Sequence, residues 1–417
     1  MAHAVVVGAG IGGLTAAVAL QRRGWEVTVL ERAASLEPVG SGLAIAVNAL
    51  RALDTIGAGD EIRKLSAVQG DGGVRSAGGR WLARTSTEAV SAQYGDSVVL
   101  LRRAQLVDIL VARLAPGAIR LNTAVTGVDP ATGQVSALEN TTGNAMKSAT
   151  DAVKHTTDAV GGAAPAAAGT AIELRADLVV AADGIHSPIR GALFPGHPGP
   201  VYSGTTSWRV LVPAEGVPGQ ASESWGAGGV FGIMPLAGGV TYCYATDVVP
   251  AGAGGGDQLA ELRRLFGRWH APIPALLAAA SPENVLRNDV YHLATPLPAM
   301  HRGRVALLGD AAHAMTPNLG QGACQAIEDA VVLAHVAGPG EGPADDIAAR
   351  LAHYTAARLE RTWKIVSRSS SINRATKIRN PLAVRLRDTL MALASRLAPG
   401  RVAGAADDIF GWRPPAA

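Results

Sequence analysis

The pattern of apolar positions changes its period twice within the first thirty residues. His3 to Val7 is an almost continuous apolar run, which is typical of a strand buried on both faces of a parallel sheet. A glycine-rich turn over residues 8–13 leads into helical spacing from Leu14 to Arg23, and Glu26 to Leu30 has the pattern of a second strand. The pattern therefore predicts a complete strand–helix–strand unit that ends at Glu31.

Strand-like and helix-like patterns return near residue 300. Arg304 to Leu308 predicts a strand, Gly309 and Asp310 end it, and a helix is expected from the glycines at 320–322 through Ala330. Between Pro195 and Tyr291 the pattern differs, because TSWRVLVP, GVFGIMPL and GVTYCYATD are short strand-like stretches separated by glycine turns. They predict a mixed or antiparallel sheet.

The carboxyl-terminal part of the chain is strongly basic. Residues 350–401 contain twelve Lys and Arg against two acidic residues, and five leucines share one helix face: Leu382, Leu386, Leu390, Leu393 and Leu397. A basic amphipathic helix of this kind could lie on a membrane or form a dimer seam. We expect instead that its leucine face packs on its own domain, and the chain could be a monomer or a homodimer.

Composition indicates a large globular protein. With 417 residues, 48% hydrophobic and 17% charged, the chain can form two or three packed domains. A net charge of +3 is too small to indicate a nucleic acid partner. Cys243 and Cys324 have neither disulfide-framework nor zinc-site spacing, so we expect no metal and a cytoplasmic location. The apolar start is broken by glycines, and no targeting or membrane-spanning segment is expected.

The glycine turn carries the first candidate chemistry. Gly8 permits the sharp turn, Gly10 lets a pyrophosphate approach the backbone, and Gly13 allows the helix to pack closely. The helix start adds amide donors and a partial positive charge. Glu31 is placed to accept hydrogen bonds from an adenosine ribose. Together these features predict a dinucleotide site.

A second set of small residues, LLGDAAHAMTPNLGQGACQAIEDA at 307–330, favours FAD over a nicotinamide dinucleotide. FAD is the longer molecule and must also be held at its ribityl and isoalloxazine end. Asp310 can accept hydrogen bonds from ribityl hydroxyls, and amides at 320–323 suit the pyrophosphate or the flavin O2 edge. No second GxGxxG follows a strand. We therefore expect NAD(P)H to act as a transient co-substrate without a domain of its own.

Three stretches in this order resemble the signatures of the class A flavoprotein monooxygenases, the para-hydroxybenzoate hydroxylase superfamily. They are GAGIGG with Glu31, ADLVVAADGIHSPIR at 176–190, and GDAAHAMTPNLGQGACQAIEDA at 309–330. Within that family the chain is most similar to salicylate hydroxylases, urate hydroxylases and zeaxanthin-epoxidase-like enzymes. The resemblance implies an α/β fold, in which a Rossmann-like FAD-binding domain carries an inserted mixed or antiparallel β-sheet substrate domain and a C-terminal helical segment.

Domain bounds follow from the change of pattern and from the resemblance. We expect the FAD-binding domain over 1–75, 99–194 and 291–340, the substrate domain over 76–98 and 195–290, and C-terminal helices over 341–417. An Ala/Thr-rich insertion is expected at 136–170. A marginal helix or a disordered excursion is predicted there, from helical spacing of Met146, Ala149, Val153 and Val160.

The resemblance also implies cofactor contacts. Arg103 matches the family's flavin-contacting arginine, with Arg102 as the competing candidate, and Asp183 would lie near FAD and the path of NAD(P)H. From the residues alone, Asp183 could equally be part of a plain strand-end turn. The predicted cofactor-binding residues are Gly8, Gly10, Ile11, Gly13, Glu31, Arg32, Ala44, Arg103, Val125, Asp183, Asp310, Pro317, Gly320, Gln321, Gly322 and Ala323.

The implied activity is that of an NAD(P)H-dependent monooxygenase. It would use O2, through a flavin hydroperoxide, to hydroxylate or epoxidise an aromatic or polyene small molecule. Candidate catalytic residues are Arg209, Tyr242 and Pro317. Arg209 could bind a carboxylate or phenolate or serve the structure, and the loop of Pro317 brings backbone beside the flavin.

Other residues limit this interpretation. The substrate-domain strands carry little charge, which favours a neutral or weakly polar substrate, and Val230 stands where urate hydroxylases carry an arginine. Trp208, Phe231 and Met234 are expected in the sheet core. A reductase or oxidase on the same fold, and a flavin-binding module without chemistry, stay as alternatives.

Overall fold

A computed structural model describes residues 1–36, 41–66, 70–140, 169–213, 220–339, 347–397 and 407–416. Its helices are Ile11–Gln21, Val47–Thr55, Gly59–Arg63, Thr87–Tyr94, Arg103–Val111, Pro188–Leu193, Gln258–Phe266, Ile273–Ala279, Asp310–His313, Gly322–Ala337, Ile347–Thr376, Pro381–Leu397 and Asp407–Phe410, with 3-10 turns at Pro282–Asn284 and Pro317–Leu319. No helix among these residues is both long and apolar enough to span a membrane.

A six-stranded sheet forms the centre of the first domain. In spatial order its strands are His301–Arg302, Val305–Leu307, Leu178–Ala181, His3–Val7, Glu26–Leu30 and Ile119–Arg120. All neighbours are parallel except the first pair. The central strands are buried on both faces, which is why they appear as continuous apolar runs in the sequence. The predicted strand–helix–strand unit is confirmed, with the helix beginning at Ile11, three residues before the predicted start.

A three-stranded antiparallel sheet lies beside this domain and is formed by Thr170–Arg175, Gln134–Glu139 and Thr123–Val128. Ser136, the first residue of the predicted insertion at 136–170, pairs with Glu173 inside this sheet. The positions with helical spacing, Met146, Ala149, Val153 and Val160, lie outside the described residues.

The second domain is a seven-stranded mixed sheet. Its order is Leu286–His292, Val201–Pro213, Val240–Asp247, Val230–Leu236, Ser222–Trp225, Asp71–Ser76 and Trp81–Ser86. The predicted boundary between 75 and 76 falls inside one strand of this sheet, and that between 290 and 291 falls inside another. A two-stranded antiparallel ribbon, Gly42–Ile45 with Val99–Arg102, joins the two domains.

The two faces of the seven-stranded sheet have different neighbours. Trp208 and Phe231 point to the face covered by helices Gln258–Phe266 and Ile273–Ala279, in a buried apolar cluster. Tyr242, Leu211 and Met234 point to the other face, toward the first domain. Trp208 and Phe231 are therefore core residues, whereas Met234 lies between the domains.

The prediction for the C-terminal leucines was wrong. Helix Pro381–Leu397 packs beside strand Trp81–Ser86, but its five leucines face outward and are 45–80% exposed. The inner face is instead polar, because Arg387 and Asp388 are buried and paired there.

Candidate functional site

The glycine turn has the geometry that a bound pyrophosphate requires. Gly8 has φ +100°, and a β-carbon at that position would lie 2.5 Å from the carbonyl oxygen of Ala182. A β-carbon at Gly13 would lie 2.0 Å from the oxygen of Gly8, so helix and strand pack at backbone contact. A β-carbon at Gly10 would meet nothing within 4 Å. Gly10 is thus not required by packing, and its small size leaves space in front of the helix start at Ile11.

Glu31 is held at the end of its strand by two backbone amides. Ala9 donates to Oε2 at 2.8 Å and Ala33 donates to Oε1 at 2.9 Å. The Glu31 carbonyl accepts from the amide of Thr123 at 2.8 Å, which brings the strand of Val125 alongside. The neighbouring Arg32 is exposed. The predicted adenosine-side residues Glu31 and Val125 are therefore close together.

The second flavin segment begins with a strained turn. Gly309 has φ +61° after strand Val305–Leu307, and its amide donates to Asp329 Oδ2 at 3.0 Å. This turn places Asp310 directly after the strand, as the first residue of the short helix Asp310–His313. Burial raises the pKa of Asp310, and interactions with His313 and Arg103 partly oppose that rise.

Pro317 and Gly320, in the loop after Asp310, are both exposed, and Gly320 has φ +61°. Gln321 is buried at the N-cap position of helix Gly322–Ala337, whose first turn includes Ala323. The first amides of a helix have no partner within the helix, so those of this one can donate to a ligand.

A buried ionic cluster fixes this helix and was missed by sequence reasoning. Arg358, fully buried, donates to Asp329 Oδ1 at 2.7 Å and to Glu328 Oε2 at 2.5 Å. Asn48 donates to Glu328 Oε1 at 2.6 Å and to Gln321 Oε1 at 3.1 Å. The cluster thereby ties the capping residue of the flavin loop to helix Ile347–Thr376. The signal that the sequence offered was the adjacent acidic pair Glu328 and Asp329 within a mostly apolar helix.

His313 and Cys324 serve the structure. His313 Nε2 lies 2.5 Å from Asp329 Oδ2, so the ring belongs to the ionic cluster. Cys324 is buried against the backbone of Ala44, and burial raises the pKa of its thiol to about 12. Ala44 lies between Cys324 and the apolar contact with the second domain.

Asp183 has a buried carboxylate oxygen without a protein partner. Oδ2 accepts from the amide of Ile189 at 3.4 Å, whereas no described residue hydrogen-bonds Oδ1. Burial raises the pKa of Asp183, although hydrogen bonding to Ser187 and to backbone opposes this. Such an unpaired buried oxygen suits contact with a hydroxyl or amide of a ligand. The arrangement favours a cofactor contact over a plain turn.

Arg103, at the start of helix Arg103–Val111, is affected by charges from both domains. Burial lowers the pKa of Arg103, the charge of Arg209 in the second domain lowers it further, and Asp310 in the first domain opposes both effects. The choice of Arg103 over Arg102 as the flavin contact stays a prediction, and these charges support it.

The sheet face that carries Arg209 is partly polar. Arg209 Nη2 donates to the neutral Asn288 at 2.5 Å, and its buried Nε has no partner among the described residues. The ring of Tyr244 packs over Gly232, because a β-carbon at Gly232 would lie 2.0 Å from that ring. Tyr244 donates to Glu223 at 2.8 Å. Sequence reasoning did not select Tyr244 or Glu223.

Tyr242 forms part of the contact between domains. A β-carbon at Gly42 would lie 2.6 Å from the Tyr242 ring, so the ring packs flat on the joining ribbon. Burial raises the pKa of Tyr242 to about 12, while nearby Arg209 lowers it. Tyr242 is therefore neutral at physiological pH and stands as an apolar wall beside Arg209.

Comparisons with known proteins agree with this geometry. The family model for the FAD binding domain matches residues 1–369. The chain is 34% identical to aurachin C monooxygenase/isomerase of Stigmatella aurantiaca, over 94% of both chains. It is 31% identical to an FAD-dependent urate hydroxylase of Klebsiella pneumoniae, over 87% of both. It is 33% identical to 3-amino-4-hydroxybenzoate 2-monooxygenase of Streptomyces cremeus, over 87% of this chain and 85% of that one.

Solved structures support the same assignment. The Klebsiella pneumoniae HpxO complexed with FAD and uric acid matches with a TM-score of 0.82 and 27% identity, covering 99% of this chain and 97% of that one. The glycine turn, the Asp310 segment and the two-domain architecture agree with that relationship. The chain therefore belongs to the FAD binding domain family and is a class A FAD-dependent monooxygenase.

Proposed function

We propose that this monooxygenase hydroxylates an electron-rich aromatic or heteroaromatic ring that carries an acidic hydroxyl or a carboxylate. One observation carries the proposal: Arg209, on the strand that also carries Leu211, has a neutral side-chain partner, Asn288, and a buried Nε that no described residue bonds. A buried guanidinium donor without a partner is costly unless an acceptor joins it. An anionic substrate group would accept hydrogen bonds from Arg209.

The residues present fit FAD. The space in front of Gly10 suits a pyrophosphate, the unpaired oxygen of Asp183 suits a hydroxyl or amide donor, and the carboxylate of Asp310 can accept hydrogen bonds from ribityl hydroxyls. When bound, FAD takes a hydride from transient NAD(P)H and activates O2. We assign the adenosine to Glu31, Arg32 and Val125, and the pyrophosphate to the turn that contains Gly8, Gly10, Ile11 and Gly13. The flavin end is assigned to Ala44, Arg103, Asp183, Asp310, Pro317, Gly320, Gln321, Gly322 and Ala323.

The side chains of the second domain would orient and activate the substrate. The charge of Arg209 lowers the pKa of a ring hydroxyl that bonds to it, and the resulting oxyanion makes the ring more nucleophilic. Tyr242, Leu211 and Met234 supply an apolar wall that excludes water from the ring. The low charge of these strands favoured a neutral or weakly polar substrate, but a neutral polyene would use this wall and leave the buried Nε of Arg209 without an acceptor. The aromatic acid or phenol is therefore preferred.

The first experiment is anaerobic reduction of the yellow protein by NADPH. Loss of the flavin absorbance is followed with the protein alone and with matched sets of phenols, hydroxyquinolines, ring carboxylic acids and polyenes. We expect a phenolic or carboxylated ring to accelerate bleaching many-fold, because class A enzymes restrain reduction until substrate binds. Equal bleaching with every compound would favour the reductase or oxidase alternative. Labelled O2 then decides whether oxygen enters the product.

Arg209→Gln is expected to weaken binding of the accelerating compound about tenfold. The lost charged hydrogen bond contributes about 1.5 kcal/mol. Binding is measured by the change in flavin absorbance during titration. Arg84→Gln, which removes an exposed arginine from the edge strand of the same sheet, is the control and should leave the Kd unchanged. Equal Kd values for both variants would exclude Arg209 as the anion contact.

A cytoplasmic location stays a prediction. It rests on two cysteines that are free and buried, Cys243 and Cys324.

A further inference from the structure

The outward face of helix Pro381–Leu397, here called the leucine face, consists of Leu382, Leu386, Leu390, Leu393 and Leu397. These side chains are 74, 61, 57, 45 and 80% exposed, respectively. The described residues contain seven exposed large hydrophobic side chains, and five of them lie on this one face. Their spacing keeps them within roughly 80° of the helix circumference and extends them over about 22 Å. Such concentration marks an interaction surface rather than random exposure.

The helix is held firmly with this face outward. Asn380 caps it by accepting from the amides of Leu382 and Ala383 at 3.0 and 3.2 Å, and Pro381 occupies the first turn. On the opposite side, Arg387 donates to the carbonyl oxygen of Gly226 at 3.2 Å. Its guanidinium carbon also lies 5.5 Å from the centroid of the Trp225 ring. These contacts anchor the helix to the second domain without using a leucine.

The charge beside the leucine face is positive. Arg385 and Arg396 are exposed, and both lie on the same flank of the face. The acidic residue of this helix, Asp388, is buried and already paired with Arg387 at 2.8 Å. An anionic partner surface would therefore be attracted along the whole helix.

We propose that the leucine face docks on an anionic lipid bilayer, with its leucines in the outer acyl region and Arg385 and Arg396 among the headgroups. An amphipathic helix with a leucine face and a basic flank has the architecture of an interfacial membrane anchor. A second copy of the chain fits less well. Antiparallel pairing would place Arg385 and Arg396 of both copies along one seam with no free acid on the helix to neutralise them.

The size of the surface also favours a bilayer. A stable dimer needs about 800 Å² from each partner, contributed by roughly 20–30 residues. One row of five leucines on a single helix provides far fewer contacts. Insertion into a bilayer requires no second protein surface, because the acyl chains adapt to the row.

The test is vesicle co-sedimentation of the full-length, FAD-loaded protein. Vesicles contain either phosphatidylcholine alone or phosphatidylcholine with phosphatidylserine. We expect binding to the anionic vesicles. It should weaken at least about tenfold in a Leu386→Gln, Leu390→Gln, Leu393→Gln variant and roughly fivefold for each arginine removed at 385 and 396. Val201→Gln, which changes an exposed hydrophobic side chain elsewhere, should bind like the wild type.

The leucine substitutions lie on the surface, so the retained flavin absorbance verifies that each variant is folded. Analytical ultracentrifugation of the same proteins tests whether a second copy of the chain covers the leucine face instead. A wild-type dimer that the leucine substitutions dissociate, without any vesicle binding, would overturn the proposal in favour of a second copy. Absence of vesicle binding by the wild type, or binding that the leucine variant retains in full, would overturn it as well.

Discussion

Replacing Arg358 by methionine is expected to lower the free energy of unfolding by about 3–5 kcal/mol. Arg358 is fully buried and neutralises two buried carboxylates, Glu328 and Asp329. Methionine fills similar volume but removes the buried charge that both acids share, which leaves His313 beside Asp329 and the partly exposed Arg361 beside Glu328. The measurement is the urea midpoint, followed by far-UV circular dichroism and by release of FAD. FAD should be released at a lower urea concentration than the unfolding midpoint, because the cluster also holds Gln321 at the end of the flavin loop.

Arg361→Met is the matched control. Arg361 is partly exposed and pairs with Glu328 at 2.7 Å, and Arg358 continues to neutralise Glu328 when Arg361 is removed. We expect a loss of about 1 kcal/mol or less. If the midpoints of the two variants coincide, the cluster is not the stabilising unit described above.

Arg358→Met is also expected to change how the free energy of unfolding falls at acid pH. Burial opposes ionisation of Asp329, but interactions with His313 and Arg358 outweigh it and lower its pKa to about 2. Because the folded-state pKa lies below the unfolded value, the stabilisation is present above about pH 4 and is lost as the pH falls toward 2. In Arg358→Met this loss should begin at higher pH, which acid titration of the circular dichroism signal can detect.

Gly10→Val is expected to yield a folded protein that has lost most of its FAD. The new side chain meets no protein atom within 4 Å at its β-carbon, and Gly10 has φ −70°, which any residue adopts. The branched side chain instead projects into the space assigned to the pyrophosphate. Overpacking of about 2–3 kcal/mol corresponds to a rise in the Kd for FAD of roughly thirty- to 150-fold.

The Kd is measured by titrating apoprotein with FAD and following flavin fluorescence. Gly191→Val is the control, since a β-carbon at Gly191 also meets nothing within 4 Å but the residue is exposed in helix Pro188–Leu193. Its FAD affinity should equal that of the wild type. An unchanged Kd for FAD in Gly10→Val would show that the pyrophosphate does not bind at this turn.

The sequence by itself determined the elements whose signals are local. The first strand and helix follow from the apolar period, and Gly13 is needed where the helix backbone approaches Gly8 within one unit of the chain. Asp310 was predictable because a glycine turn directly after a buried strand presents the next side chain at the sheet edge. Each of these features depends on residues within about thirty positions along the chain, so it can be predicted from the local sequence pattern.

Tertiary structure alone decided features that join distant segments. Arg358 meets Glu328 and Asn48 in a cluster that no periodicity marks, because its energy comes from burial rather than spacing. The charges that act on Arg103, from Asp310 in one domain and Arg209 in the other, depended on how the second domain lies over the first. The leucine face turned outward because the opposite side of its helix carries Arg387, whose hydrogen bond and ring contact anchor it to the sheet. Helical spacing reveals an apolar face, but the partner on each side is set by packing between elements.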